Sequence, residues 1–160
     1  MALHDMLEAL VRHDVRFIVV GGLAAVLHGT PVSTFDLDIL YARDEENVRH
    51  LHSALRELGA VFRDDARRIE PNESHLSSKG HKLLITTQGL LDALGTIERG
   101  TEFDDLIADS VEMELRGVRV RVVTLERLIR IKEQLSRPKD QAMLILLRAT
   151  LDERRKRDTG

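Results

Sequence analysis

Hydrophobic positions along this chain change period several times, and each change marks an element. Leu3, Met6, Leu7 and Leu10 recur at helical spacing and predict an amphipathic helix over residues 3–13. The apolar run ending in Phe17-Ile18-Val19-Val20 predicts a buried strand over 16–20. It enters Gly21-Gly22, after which the small residues of 23–27 predict a short helix, and Pro31 marks a returning loop. Residues 36–41 predict a second strand. Val48, Leu51, Leu55 and Leu58 share one face of a helix over 45–58, stopped by Gly59, and 60–63 predict a third strand. Residues 64–80 are polar and carry Pro71, Asn72, Ser77, Ser78 and Gly80, which predicts a mobile loop near the cleft. Strands follow over 82–87 and 90–94 around Gln88-Gly89, then a short helix over 103–108. Alternation over 111–115 and 118–123 around Arg116-Gly117 predicts a β-hairpin. Two helices, 125–135 and 139–153, flank Pro138 and lead to a charged tail over 154–160. Strands interspersed with helices, with hairpins in the second half, predict an α+β fold: one mixed sheet with helices packed on it, as a single domain over 1–153.

The stretch Gly21 to Asp38 carries the candidate chemistry. Asp36 and Asp38, at i and i+2 on a strand, point to the same side. They sit among Phe35, Leu37, Ile39 and Leu40, where carboxylates are costly unless paired or metal-bound. Two like charges so close repel unless a cation lies between them, and a divalent ion suits that role. The alternative is a strand-end pair facing solvent. Gly21 and Gly22 permit close backbone approach, and a helix opening there offers N–H groups to a phosphate; the same glycines also suit a tight turn with no ligand. Thr34 is placed to hydrogen-bond near the carboxylates, and His28 to pack or cap a turn. Metal carboxylates beside a phosphate cradle are the parts that phosphoryl or nucleotidyl transfer needs. Asp92 interrupts the apolar run 90–94 and, from pattern alone, reads equally as a hairpin-edge residue. Lys132 lies i+4 from Leu128 and i+3 from Ile129, beside the apolar stripe of its helix, where it either snorkels or meets an anion. Asp140, just after Pro138, suits the first turn of a helix.

The Gly-Gly turn, spacer and Asp-x-Asp together resemble the polymerase-β-like nucleotidyltransferase superfamily. Residues 28–38, Tyr41-Ala42-Arg43-Asp44 with Glu46-Asn47, Gly89 to Gly95, and Leu128-Ile129 with Lys132 and Arg137 to Asp140 look like small bacterial members related to AbiEii-type toxins. That resemblance implies a minimal nucleotidyltransferase core with C-terminal helices. It implies Asp36, Asp38 and Asp92 as catalytic metal ligands for two Mg²⁺ ions, with Mn²⁺ as a substitute. It also implies contact with an NTP through Gly21, Gly22, Thr34, Lys132 and Lys139 or Arg137, with Asp140 as an alternative partner that orients Lys132. The reaction implied is transfer of an NMP to a hydroxyl on RNA, with tRNA as a plausible case, on protein or on a small molecule, releasing pyrophosphate. A catalytically silent nucleotide-binding regulator, or a toxin–antitoxin-type partner of a cognate protein, is the competing expectation.

Composition narrows the field. The 160 residues are 42% hydrophobic and 32% charged, which suits a globular domain with a sizeable core. A net charge of −3 provides no global basic field for nucleic acid, and 3% aromatics leave little for base stacking. The absence of cysteine excludes disulfides and Cys-ligated zinc. No apolar run approaches the ~20 residues of a membrane span, and the N-terminus lacks a signal-peptide pattern, so a cytoplasmic location is expected.

Overall fold

The computed structural model describes residues 2–159. Helix α1 (Ala2–Arg12) buries Met6, Leu7 and Leu10 of the stripe that its spacing predicts, together with Ala9, while Leu3 is half-buried. Strand β1 (Phe17–Val20) is buried throughout and passes directly into α2 (Gly21–Leu27). Strand β2 (Leu37–Tyr41) pairs antiparallel with β1, setting Val20 opposite Asp38. Helix α3 (Glu45–Glu57) begins at Asp44, whose carboxylate accepts from the Asn47 backbone N–H. The buried Asn47 side chain accepts from Arg16 N at 2.7 Å and donates to Arg16 O at 3.1 Å and Ala42 O at 2.6 Å. It thereby ties α3 to the end of β2 away from Asp38.

Seven strands form one mixed sheet in the order β3-β4-β5-β2-β1-β7-β6. The remaining strands are β3 (Val61–Phe62), β4 (His81–Thr86), β5 (Gly89–Leu94), β6 (Ser110–Leu115) and β7 (Val118–Val123). Two pairings are parallel, β1 with β7 and β2 with β5; the hairpins β4–β5 and β6–β7 are antiparallel. The core runs through Ile18, Ile39, Leu40, Leu51, Leu91 and Val122, each fully buried. On β4 the pattern alternates: Lys82, Leu84 and Thr86 are buried, while Leu83 and Ile85 remain 43% exposed. One face of the sheet is therefore open at β4, and no helix described here is long and apolar enough to cross a membrane.

Two expectations change. Residues 64–80 are not an open excursion, because they contain helix α4 (Glu73–Ser77). Asn72 accepts from the His75 N–H while the His75 ring accepts from Asn72 N, so the helix start is capped from both sides. Leu76 is fully buried, and the Tyr41 hydroxyl donates to Leu76 O at 2.6 Å. One apolar residue and one buried hydroxyl thus dock a segment whose composition suggests a loop. The charged residues 154–159 are also not a separate tail: α7 (Pro138–Thr159) runs through them. Glu, Arg and Lys favour helix, and no Gly or Pro interrupts the run; Arg154 also reaches the His28 ring at 3.0 Å.

Candidate active site

The site lies where the sheet's central strands meet α2. Parallel pairing of β2 and β5 places Asp38 beside Asp92, and the β1–β2 pairing places Asp38 next to the β1–α2 turn. Leu37 is buried between the half-buried Asp36 and Asp38, so the two carboxylates share a side as their spacing predicts. Asp92, ambiguous in the sequence, is half-buried on the same open face as Asp38. Burial first, then the negative charge of Asp92 and of Asp36, push the Asp38 carboxyl up to about 7, with Lys132 opposing. Among the described residues, one oxygen from each of the three aspartates does not fall within 4.8 Å of the others.

The glycines are required by the protein itself. Gly21 has φ +72, and a Cβ there would collide with the Asp38 carboxylate, coming within 3.0 Å of its Cγ. A Cβ on Gly22 would lie 2.9 Å from Thr34 Oγ1, and that hydroxyl donates to Asp36 O at 3.3 Å. Gly21, Gly22, Thr34, Asp36 and Asp38 are thus one packed unit. No side chain caps the start of α2, which leaves its first N–H groups without a side-chain acceptor.

Helix α6 (Leu125–Glu133) closes the site from the other side. A cleft of about 280 Å³ is lined by Gly21, Asp38, Leu94, Leu128, Lys132 and Arg137, among others. Lys132 Nζ donates to Asp140 at 3.2 Å, and Arg137 Nε donates to the same carboxylate at 2.7 Å. Asp140 is fully buried; burial pushes its carboxyl up, but the hydrogen bonds from Arg137 and Lys132 outweigh that and hold it below the usual carboxylate range. Asp140 thus holds the Lys132 and Arg137 head groups together. Lys139 is exposed on the first turn of α7 and does not line the cleft, whereas Arg137, just before Pro138, does. A slightly larger hollow, about 340 Å³, lies at the far end of β2 beside Arg43 and Glu102 and touches none of the three aspartates.

Sequence reasoning missed Arg63. Its guanidinium donates to Asp92 Oδ1 at 2.6 Å and to Leu84 O at 2.9 Å. Arginine at the end of a short edge strand carries no local signal of such a contact. The residues present suit a divalent cation: a half-buried carboxyl driven up by burial and then by two neighbouring carboxylates is the electrostatic strain that a cation relieves. The donor set is all oxygen, the set that hard cations such as Mg²⁺ prefer.

A profile of the aminoglycoside-2''-adenylyltransferase family matches residues 2–138. Among solved structures, a Thermotoga maritima protein assigned as a nucleotidyltransferase is 22% identical, with a TM-score of 0.57 over 94% of this chain and 91% of that one. The antibiotic-resistance factor ANT(2'')-Ia is 16% identical. Its solution structure gives a TM-score of 0.59 over 94% of this chain and 82% of its own. Its crystal structure with adenylyl-2''-tobramycin gives 0.61 over 93% and 87%. At these identities the structures speak for the fold alone. No curated protein sequence matches the chain.

Proposed function

The chain belongs to the aminoglycoside-2''-adenylyltransferase family and is a nucleotidyltransferase, and we propose that it transfers an NMP from an NTP to a hydroxyl acceptor at Asp36, Asp38 and Asp92. The observation that carries the assignment is the register of β2 and β5, which sets Asp38 beside Asp92 against the Gly21 turn and in the Lys132 cleft. Asp36, Asp38 and Asp92 would hold divalent metal, Mg²⁺ by preference, in a two-ion arrangement. Bound there, it would neutralise the triphosphate and make the acceptor hydroxyl more acidic.

The chain's own groups supply the rest. Backbone N–H groups at the uncapped Gly21–Gly22 turn bind phosphate oxygens, and Lys132, held by Asp140, adds a fixed positive charge on the opposite wall. Apolar Leu94 and Leu128 exclude water from that wall. Thr34 fixes the backbone at Asp36, keeping both carboxylates of the Asp-x-Asp pair on one side. Asp92 takes the proton of the attacking hydroxyl; the hydroxyl oxygen bonds to the α-phosphorus, and pyrophosphate leaves with the electron pair of the broken P–O bond.

The test incubates the protein with each labelled NTP and Mg²⁺ or Mn²⁺. ATP and tobramycin are tried first because the family and ANT(2'')-Ia suggest them, and total RNA and protein lysate follow because of the sequence resemblance. Labelled acceptor that disappears with Asp36→Asn/Asp38→Asn supports the reading. Nucleotide binding without turnover on any acceptor would favour the silent regulator, and no binding at all would overturn the site.

A further inference from the structure

Asp92 is the one of the three aspartates that has a cationic partner among the described residues. The partner, Arg63, follows the two-residue edge strand β3, and its backbone N–H bonds to Leu83 O at 2.8 Å. Leu83 is the register mate of Asp92 on the neighbouring strand, so the guanidinium arrives over that carboxylate. The ion pair measures 2.6 Å, and both side chains are about one-fifth exposed. The guanidinium is not fully satisfied: one amino group bonds Asp92 and Leu84 O, but Nε is buried with no acceptor. A buried donor left unmet is costly. The residue after Arg63, Asp64, takes φ 65, a left-handed conformation that L-residues seldom adopt. Arg63 thus occupies Asp92 from a short edge strand, through an imperfect set of bonds, and at a point where the chain turns sharply.

We propose that Arg63 is an internal counter-ion of the third aspartate: it neutralises Asp92 in the metal-free protein and must leave that carboxylate when a divalent cation binds. The proposal rests on Asp36, Asp38 and Asp92 being the metal site. Arg63 then acts in two opposed ways. Without metal it stabilises the fold, because its loss leaves Asp92 facing Asp38 with no counter-charge. With metal it competes, because the oxygen that it holds is one that the ion needs. A residue that only oriented Asp92 for the ion would act in one direction in both states, so the two roles separate cleanly.

The experiment titrates Mn²⁺ calorimetrically into the full chain, into Arg63→Gln and Arg63→Lys, and into Asp36→Asn/Asp38→Asn, with thermal denaturation in EDTA and in saturating Mn²⁺. Arg63→Gln should bind Mn²⁺ roughly tenfold more tightly, the scale of one hydrogen bond between charged groups. It should melt below the parent in EDTA and recover the parent's melting temperature in Mn²⁺. Arg63→Lys keeps the charge but not the planar fork, and should move affinity the same way by less, which preserves the test if the Gln variant folds poorly. Unchanged or weaker Mn²⁺ binding in both Arg63 variants, with the double Asp variant silent, overturns the counter-ion and leaves the metal site standing. Parent binding that survives Asp36→Asn/Asp38→Asn overturns the metal site, and this proposal with it.

Discussion

Substituting Gly21 with alanine tests the geometry of the site more sharply than removing any aspartate. At φ +72 an added Cβ costs about 1–2 kcal/mol in backbone strain alone. The Cβ also lands on the Asp38 carboxylate, within 3.0 Å of Cγ and 3.1 Å of Cβ. Asp38 is fixed by strands on both sides, so its backbone cannot retreat, and its carboxylate must turn off its preferred rotamer. That adds about 0.5–1.5 kcal/mol. Gly21→Ala should therefore lose about 2–3 kcal/mol by urea denaturation and most of its Mn²⁺ affinity as well. Gly59→Ala is the matched control: φ is +64, and the added Cβ meets only Thr87 Cγ2 at 3.2 Å. It should lose about 1–2 kcal/mol and bind Mn²⁺ normally. Should Gly21→Ala denature like its parent, or bind Mn²⁺ as tightly, the packing of Asp38 against the turn does not shape the site and the argument fails.

Further outcomes follow from the charges and from the docked segment. In the folded protein Asp38 keeps its proton up to about 7, whereas in the unfolded chain it ionises in the ordinary carboxylate range; the folded state therefore holds more protons between those limits. Metal-free stability should then fall as pH rises through that window, by on the order of 2 kcal/mol, and Asp38→Asn should flatten the slope; urea midpoints in EDTA that decline equally in both proteins would refute this. Lys132→Met removes one of the two cations on buried Asp140 while Arg137 remains, so stability should fall by about 1–2 kcal/mol and affinity for a fluorescent ATP analogue by about 1.5–3 kcal/mol. Parent-like nucleotide affinity would remove Lys132 from the site. Tyr41→Phe deletes the hydroxyl bond to Leu76 O and should speed hydrogen exchange at 73–77 while sparing β1 and β2; unchanged exchange would mean that burial of Leu76 alone docks the segment.

What was legible in the sequence was whatever local pattern determines. The β6–β7 hairpin follows from strict alternation around Arg116-Gly117, and the β1–α2–β2 unit from an apolar run, two glycines and a second apolar run. Asp36 and Asp38 stood out in the sequence because costly carboxylates lay in an apolar stretch. The reason for Gly21 was only partly legible: freedom of φ could be read, but its contact with Asp38 required the register of β2. Helix α4 was hidden because one buried residue, Leu76, secures it, and a single leucine in a polar stretch has no period. Lys139 and Arg137 flank Pro138, and which one faces the cleft depends on the angle at which α7 leaves α6. The buried face of α7, through Asp140, Leu144 and Leu147, goes with that placement, and Asp140 holds the Arg137 head group directly. Arg63 was illegible because its partner lies two strands away in the sheet order β3-β4-β5.

The distribution of these charges bears on where a cation binds first. Each flanking cation already serves a carboxylate: Arg63 serves Asp92 from the sheet edge, and Lys132 serves Asp140 from α6. Asp36 and Asp38 have no ion-pair partner among the described residues, and it is Asp38 that burial and its neighbours drive up. Once Asp38 has lost its proton, an incoming divalent ion gains most there, where negative charge is least compensated, since a carboxylate that is already paired must give up its partner before it can contribute. If the three aspartates hold metal as proposed, the Asp36–Asp38 pair is accordingly the expected first locus and Asp92 the conditional one. A second ion, which needs Asp92, should therefore bind more weakly than the first, and the gap between the two affinities should narrow when Arg63 is removed.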